Sequence, residues 1–228
     1  MEYPIIPCGD SAVTLLIGTE LSPAVNRLVF AAFSALQHKL VPGVREIVPT
    51  YGTLFIHYNP DVLDYAHLCD WIRGVSAVDA ADMPSESRLV CIPVCYGGEY
   101  GPDLAAVAAH AGLSEQEVIR RHTEREYLVY MLGFLPGFAY LGGMDEAIAC
   151  PRLAVPRTHI PAGSVGIAGG QTGIYPLASP GGWQLIGRTP RSLFSIREHE
   201  IDFLLSAGDR VRFCSITPED YREREGRG

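Results

Sequence analysis

Residues 156–187 read P-R-T-H-I-P-A-G-S-V-G-I-A-G-G-Q-T-G-I-Y-P-L-A-S-P-G-G-W-Q-L-I-G, with eight glycines and four prolines. Glycine admits positive φ and close backbone approach, whereas proline fixes φ and removes a donor. A segment punctuated this densely cannot continue as a helix. It makes several tight bends with short extended pieces between them. The apolar pieces at 164–167, 174–177 and 183–186 are the expected strands. Short strands joined by constrained loops indicate a barrel whose loop atoms gather at a shared mouth.

At 228 residues the chain has room for one large domain or two small ones. Its 47% hydrophobic and 19% charged residues are those of a soluble globular protein. A net charge of -8 argues against non-specific binding to nucleic acid or to an anionic membrane surface. No apolar run is long enough to span a bilayer, and the start M-E-Y-P lacks the basic and apolar regions of a signal peptide. A cytoplasmic location is expected. The six cysteines, at 8, 69, 91, 95, 150 and 214, form no C-x-x-C pair and are expected to be buried, reduced thiols. No metal site is expected.

The first third alternates periods. Residues 11–17 read as a strand. Ser22-Pro23 then opens a helix to about Leu40, with Val25, Leu28, Val29, Ala32, Phe33 and Leu36 on one face. Strands are expected at 44–48 and 53–58, and a second helix from Asp61 to about Gly74. This order predicts a small α+β sandwich over residues 1–77. The small, acidic stretch 78–87 is expected to be a linker. A mainly β barrel domain is expected over 88–228. It opens with a strand at 88–96, followed by a short helix at 103–111 and a second helix from the capping box Ser114-x-x-Glu117 to about Thr123. Strands follow at 127–132 and 210–214, and a charged, frayed tail after Pro218.

Two runs carry candidate chemistry. Residues 133–143, G-F-L-P-G-F-A-Y-L-G-G, set Phe134, Pro136 and Tyr140 between glycines. They form either a core loop or a rigid wall beside a small ligand. Gly163, Ser164, Gly169 and Gly170, with Gly181 and Gly182, form glycine turns whose amides would suit an anion. No Gly-Lys-Ser/Thr follows, so they are not a P-loop, and ordinary barrel turns are the better reading of the pattern alone. Arg157 is the candidate partner for a carboxylate or phosphate, against a surface salt bridge. Gln171 would read an amide, against a loop hydrogen bond. Tyr175 and Trp183 read equally as core residues with one satisfied polar tip. Seven histidines are scattered without H-x-x-x-H spacing. His122, ending a helix, suits the helix dipole as a cation, and His159 would be a general base by position alone. No catalytic residue is assigned.

The runs just quoted, with I-P-V-x-Y-G-G from Ile92, G-P-D-L from Gly101 and G-D-x-V-R-F from Gly208, resemble the KipI / allophanate hydrolase subunit 1 family. It is also called the carboxyltransferase C and D subdomain family. The resemblance runs in order through residues 88–228, and in layout more than in motif through the first domain. It is strongest to the branch of bacterial 5-oxoprolinase B subunits.

That resemblance implies a cyclophilin-like β-barrel after a small α+β domain. It also implies a non-autonomous component of an ATP-dependent 5-oxoprolinase, which opens 5-oxo-L-proline to L-glutamate together with the A and C subunits. ATP, with Mg, would be bound by the assembled complex. Arg157, Gln171, Tyr175, Phe134, Pro136 and Tyr140 would then line a substrate site, and the glycine turns would hold an anion. The family pattern leaves the position of His159 unfixed, which speaks against a catalytic role for it. An exposed apolar strip is expected where the C subunit, a related barrel protein, docks. Two alternatives stand beside this: a KipI-like regulator of a histidine kinase, and the carboxyltransferase part of a urea or allophanate system. The absence of a biotin-accepting M-K-M motif weakens the latter.

Overall fold

The computed structural model describes residues 3–20, 22–76, 88–197 and 200–225. The chain divides into two compact units, Met1–Glu86 and Ser87–Gly228. The expected linker 78–87 lies outside the described residues.

The first unit is a four-stranded antiparallel sheet in the order β1 (Ile5–Pro7), β2 (Ala12–Leu16), β4 (Thr53–Tyr58), β3 (Val44–Pro49), with helices α1 (Pro23–His38) and α2 (Tyr65–Ser76). Ser22 caps α1, its Oγ accepting from the Val25 amide at 3.2 Å, and Pro23 follows where a free N–H would be wasted. Val29, Ala32 and Leu36 share a stripe and pack with Val13, Leu15, Leu54 and Ile56. The short edge strand β1 was not expected, because prolines at 4 and 7 mask a three-residue strand. Helix α2 starts four residues later than expected. Asp61 is held in an Asx turn on Asn59, and Asp64 is the cap that accepts from the His67 amide at 2.9 Å.

The second unit is built on a closed barrel. Its strands are β5 (Leu89–Tyr96), β6 (Glu126–Leu132), β7 (Ala139–Gly142), β9 (Ser164–Ala168), β10 (Gln171–Ile174), β12 (Gln184–Arg188) and β15 (Arg210–Ser215). They run in the order β10-β7-β6-β15-β5-β12-β9, closed by the β9–β10 hairpin. Only the β5–β15 pair of this barrel is parallel. Ile92, Val94, Val129, Leu141, Val165, Ile167, Ile174, Ile186 and Phe213 fill the interior, with α3 (Leu104–Ala111) and α4 (Glu115–Thr123) adding Leu104, Val107 and Val118. Two ribbons stand outside the barrel ladder: β8 (Arg157–Ile160) with β11 (Ser179–Gly181), and β13 (Phe194–Arg197) with β14 (Glu200–Phe203).

Three expectations are corrected here. The strand expected at 174–177 is β10 at Gln171–Ile174, since Gly169-Gly170 turns the chain directly back on β9, and Pro176, which has no N–H to donate, follows Tyr175. The tail after Pro218 is a helix, α5 (Pro218–Glu225). Asp220 and Thr217 cap its start, and Tyr221 is buried against Tyr100 with ring centroids 4.5 Å apart. Of the six free thiols, Cys69, Cys95 and Cys150 are buried, but Cys8, Cys91 and Cys214 are exposed. Among the described residues no helix is long and apolar enough to cross a membrane.

Candidate functional site

The G-F-L-P-G-F run forms a closed loop between β6 and β7. Gly133 donates to the Phe138 carbonyl at 3.1 Å, while Phe138 donates back to Leu135 at 3.0 Å across Pro136-Gly137. With proline second and Gly137 third at φ 81°, that inner bend has the pattern of a type II turn. Leu135 also donates to Gly133 at 2.8 Å, making Phe134 the centre of a γ-turn at φ 68°. Phe134 is the one non-glycine with positive φ among the described residues. Such a γ-turn is a strained arrangement for an L-residue. Phe134 is 61% exposed, and its ring touches Phe138 edge-on at 5.6 Å. The loop therefore holds an aromatic ring outward at a conformational cost.

The glycines of 156–187 make room for rings. Gly166 and Gly173 are cross-strand partners on β9 and β10. A Cβ on Gly173 would lie 2.9 Å from Trp183 Cζ3, and one on Gly166 would lie 3.1 Å from Trp183 Cβ. Trp183 thus lies against a strip of bare backbone. Gly181 does the same for Tyr175, whose hydroxyl would sit 2.5 Å from an added Cβ. Phe138, Tyr175 and Trp183 meet edge-to-face at 5.2 to 6.4 Å and are almost wholly buried, with Ile160 and Leu185 beneath.

Above this cluster opens a cavity of about 290 Å³ lined by Phe134, Phe138, Tyr140, Arg152, Pro156, Tyr175, Pro180, Gly181, Gly182 and Trp183. Half of its lining is aromatic, and Pro156 and Pro180 contribute to the rest. The Arg152 guanidinium lies 5.9 Å from the Trp183 ring centroid, a cation–π distance. Burial raises the Tyr140 phenol, opposed by the Arg152 charge. Burial likewise raises Tyr175, opposed first by the Trp183 amide bonded to its oxygen and then by Arg152. Both hydroxyls remain protonated donors at neutral pH.

The expected site residues separate into two groups. Phe134, Tyr140, Tyr175, Gly181 and Gly182 come together at the cavity, whereas Arg157, Gln171, Pro136, Gly163, Ser164, Gly169 and Gly170 are not among its lining. Arg157 Nη2 is bonded to Asp103 Oδ1 at 2.6 Å, and its Nη1 is buried without a partner. Gln171 opens β10 beside the hairpin turn, its Nε2 buried and unpartnered. Pro136 is exposed on the outer bend. The amides of Gly163, Ser164 and Gly169 are bonded to the carbonyls of Tyr175, Pro161 and Cys150, so the first glycine turn is no anion cradle. His159 is exposed on β8 and does not line the cavity. Arg152, Phe138, Pro156 and Pro180 were missed. Arg152 lies four residues ahead of the glycine run, and nothing in its local sequence marks it; only the return of β12 brings Trp183 beneath it.

His122 also departs from expectation. It is not a helix-end cation but a buried group whose ring stacks on Phe213 at 4.4 Å. Thr172 Oγ1 donates to the Gly166 carbonyl at 3.0 Å, so it accepts from His122 Nε2–H at 2.9 Å. Nδ1 therefore accepts from the Tyr96 hydroxyl at 2.7 Å. Burial lowers the His122 pKa to about 3, so the ring is neutral.

A closed barrel with an aromatic cavity beside a bare-glycine hairpin defines a class. Residues 3–204 match the model of the carboxyltransferase domain, subdomain C and D, and the chain belongs to that family. Within it, the chain is 47% identical to the 5-oxoprolinase B subunit of Bacillus subtilis (strain 168), over 97% of this chain and 96% of that one. It is also 47% identical to the 5-oxoprolinase B subunit of Escherichia coli O157:H7, over 90% of this chain and 92% of that one. Among solved structures it superposes on TTHA0988 with a TM-score of 0.78 at 39% identity, covering 90% of this chain but only 40% of that longer one.

Proposed function

We propose that this chain is the B subunit of a cytoplasmic, ATP-dependent 5-oxoprolinase, acting with the A and C subunits to open 5-oxo-L-proline to L-glutamate. The observation that carries this reading is the aromatic cavity of about 290 Å³, which suits a single small ring. It agrees with the name borne by relatives of nearly equal length. An unstrained lactam is a poor electrophile because amide resonance stabilises it, and ATP bound in the complex supplies the activation. The aromatic cavity is a poor fit for a nucleoside triphosphate. The amides of Gly163, Ser164 and Gly169 are committed to carbonyls, and the cavity offers one guanidinium. In this reading the nucleotide is bound by the assembled complex, outside the aromatic cavity.

What this chain contributes is enclosure and orientation. Tyr140 and Tyr175 present phenol hydroxyls, and Trp183 and Phe138 give flat faces that exclude water. The partner surface we propose is the β13–β14 ribbon; its support is the cross-strand pair Ile196 and Ile201, 68% and 48% exposed.

The test is reconstitution. The chain is mixed with its cognate A and C subunits, ATP and 5-oxo-L-proline, and glutamate is followed while each component is omitted in turn. Glutamate formation that ceases without this chain is the expected result. Equal formation in its absence refutes the assignment.

A further inference from the structure

We propose that Arg152, and not Arg157, holds the carboxylate of the small cyclic substrate, with its guanidinium laid over Trp183. This rests on the reading of the aromatic cavity as the 5-oxoproline site. The glycine-rich region and its approach offer two candidate guanidinium groups. Arg157 is anchored: Nη2 contacts Asp103 at 2.6 Å, and Asp103 Oδ2 in turn accepts from the Leu185 amide at 2.7 Å. Asp103 already neutralises Arg157, whose remaining Nη1 is buried, and Arg157 does not line the cavity.

Arg152 is the opposite case. It lines the cavity, its head lies 5.9 Å from the Trp183 ring centroid, and among the described residues no carboxylate lies within ion-pair distance of it. In a chain of net charge -8, a guanidinium left unpaired at the mouth of an apolar cavity is a local positive focus. A cation–π contact with the indole holds the charged head over the cavity, and a guanidinium fork suits a bidentate carboxylate. The indole itself is fixed by the bare backbone of Gly166 and Gly173. The carboxylate of 5-oxoproline is the non-reacting end of the molecule. Held at Arg152, it directs the lactam inward between Tyr140 and Tyr175, whose hydroxyls suit a lactam oxygen. Phe134, held outward by its γ-turn, covers the ring from the rim.

The test uses Trp183 as its own reporter. The sequence has two tryptophans, so Trp71→Phe leaves Trp183 as the lone indole. Its fluorescence is titrated in the full chain with 5-oxo-L-proline and with 2-pyrrolidinone, the same lactam without the carboxylate. The expected result is a saturable change with 5-oxo-L-proline and binding at least about tenfold weaker for 2-pyrrolidinone. Arg152→Gln should abolish that discrimination, and Arg152→Lys should restore part of it. The unfolding midpoint should not move, because the side chain is exposed. In the assembled enzyme, Arg152→Gln should raise KM for 5-oxo-L-proline by about ten- to a hundredfold with a smaller effect on kcat. Turnover that needs this chain but keeps its KM in Arg152→Gln overturns the role of Arg152 and leaves the assignment to 5-oxoprolinase standing. Arg152-dependent selection of the carboxylate in a chain that turnover does not need does the reverse. A fluorescence titration in which Arg152→Gln and the parent respond alike to both lactams also overturns the proposal.

Discussion

Arg157 and Asp103 form a half-buried ion pair, Nη2 to Oδ1 at 2.6 Å, whose second carboxylate oxygen accepts from the Leu185 amide at 2.7 Å. One side-chain pair thus ties the start of α3 to β8 and β12. The sequence pattern leaves Arg157 between a ligand partner and a salt bridge, and the tertiary structure pairs it with Asp103. Arg157→Ala should leave a mostly buried carboxylate without its cation and destabilise the chain by about 2–4 kcal/mol. Urea unfolding measures this. A loss of turnover with stability unchanged would return Arg157 to the substrate.

Gly173→Ala probes the seat of the indole. The new methyl would lie 2.9 Å from Trp183 Cζ3 and 3.1 Å from both Phe138 Cζ and the Ala139 carbonyl oxygen. Neither ring can withdraw without disturbing the cluster, so overpacking should cost about 1–3 kcal/mol. The Trp183 emission should shift red as the ring is forced toward solvent. An unchanged spectrum and midpoint would show that the ring is not held where it is described.

At the rim, Phe134→Gly removes both the positive-φ penalty, about 1–2 kcal/mol, and an edge-on ring contact of about 0.5–1.5 kcal/mol. Stability should therefore change by no more than about 1.5 kcal/mol, while KM for the lactam rises. A large loss of stability with unchanged KM would assign Phe134 to the fold and not to the ligand.

His122 sets a pH dependence. Its folded pKa is lowered to about 3 from an ordinary 6.5, so below pH 6.5 the unfolded chain takes up a proton that the folded chain refuses. Stability from this group is complete above pH 6.5 and falls by about 1.4 kcal/mol per pH unit as pH drops toward 3. Between pH 6 and 5.5 nearly all carboxylates are still ionised, so His122 contributes a large share of the slope there. His122→Gln, which does not titrate, should show a flatter profile in that window. Parallel profiles would contradict the neutral, buried ring.

If the ribbon is the proposed partner surface, Ile196→Lys should weaken association with the proposed C subunit without altering the unfolding midpoint of the isolated chain. Analytical ultracentrifugation of the mixture measures this. Undiminished association would move the partner surface elsewhere.

Local chemistry made much of this protein legible before any coordinates. Ser22-Pro23 and Ser114-x-x-Glu117 are helix starts because their caps act within three residues. The strands 53–58 and 89–96 declare themselves through apolar periodicity. The loop at 133–138 is equally local: its proline and glycines close it through bonds within six residues. What the glycines of 156–187 are for was decided only by tertiary structure. Gly166 and Gly173 look alike to a reader looking for an anion turn and to one looking for a seat for an indole. The difference is made by Trp183, which reaches them from across the hairpin. The same holds for the two arginines. Arg157 stands inside the conspicuous run and Arg152 just outside it, yet Asp103, 54 residues away, anchors the first. The β12 return places an aromatic face beneath the second. Backbone preferences act between neighbours and can be read along the chain. Which charges are neutralised and which face a cavity depends on contacts between distant segments, and those exist only once the barrel has closed.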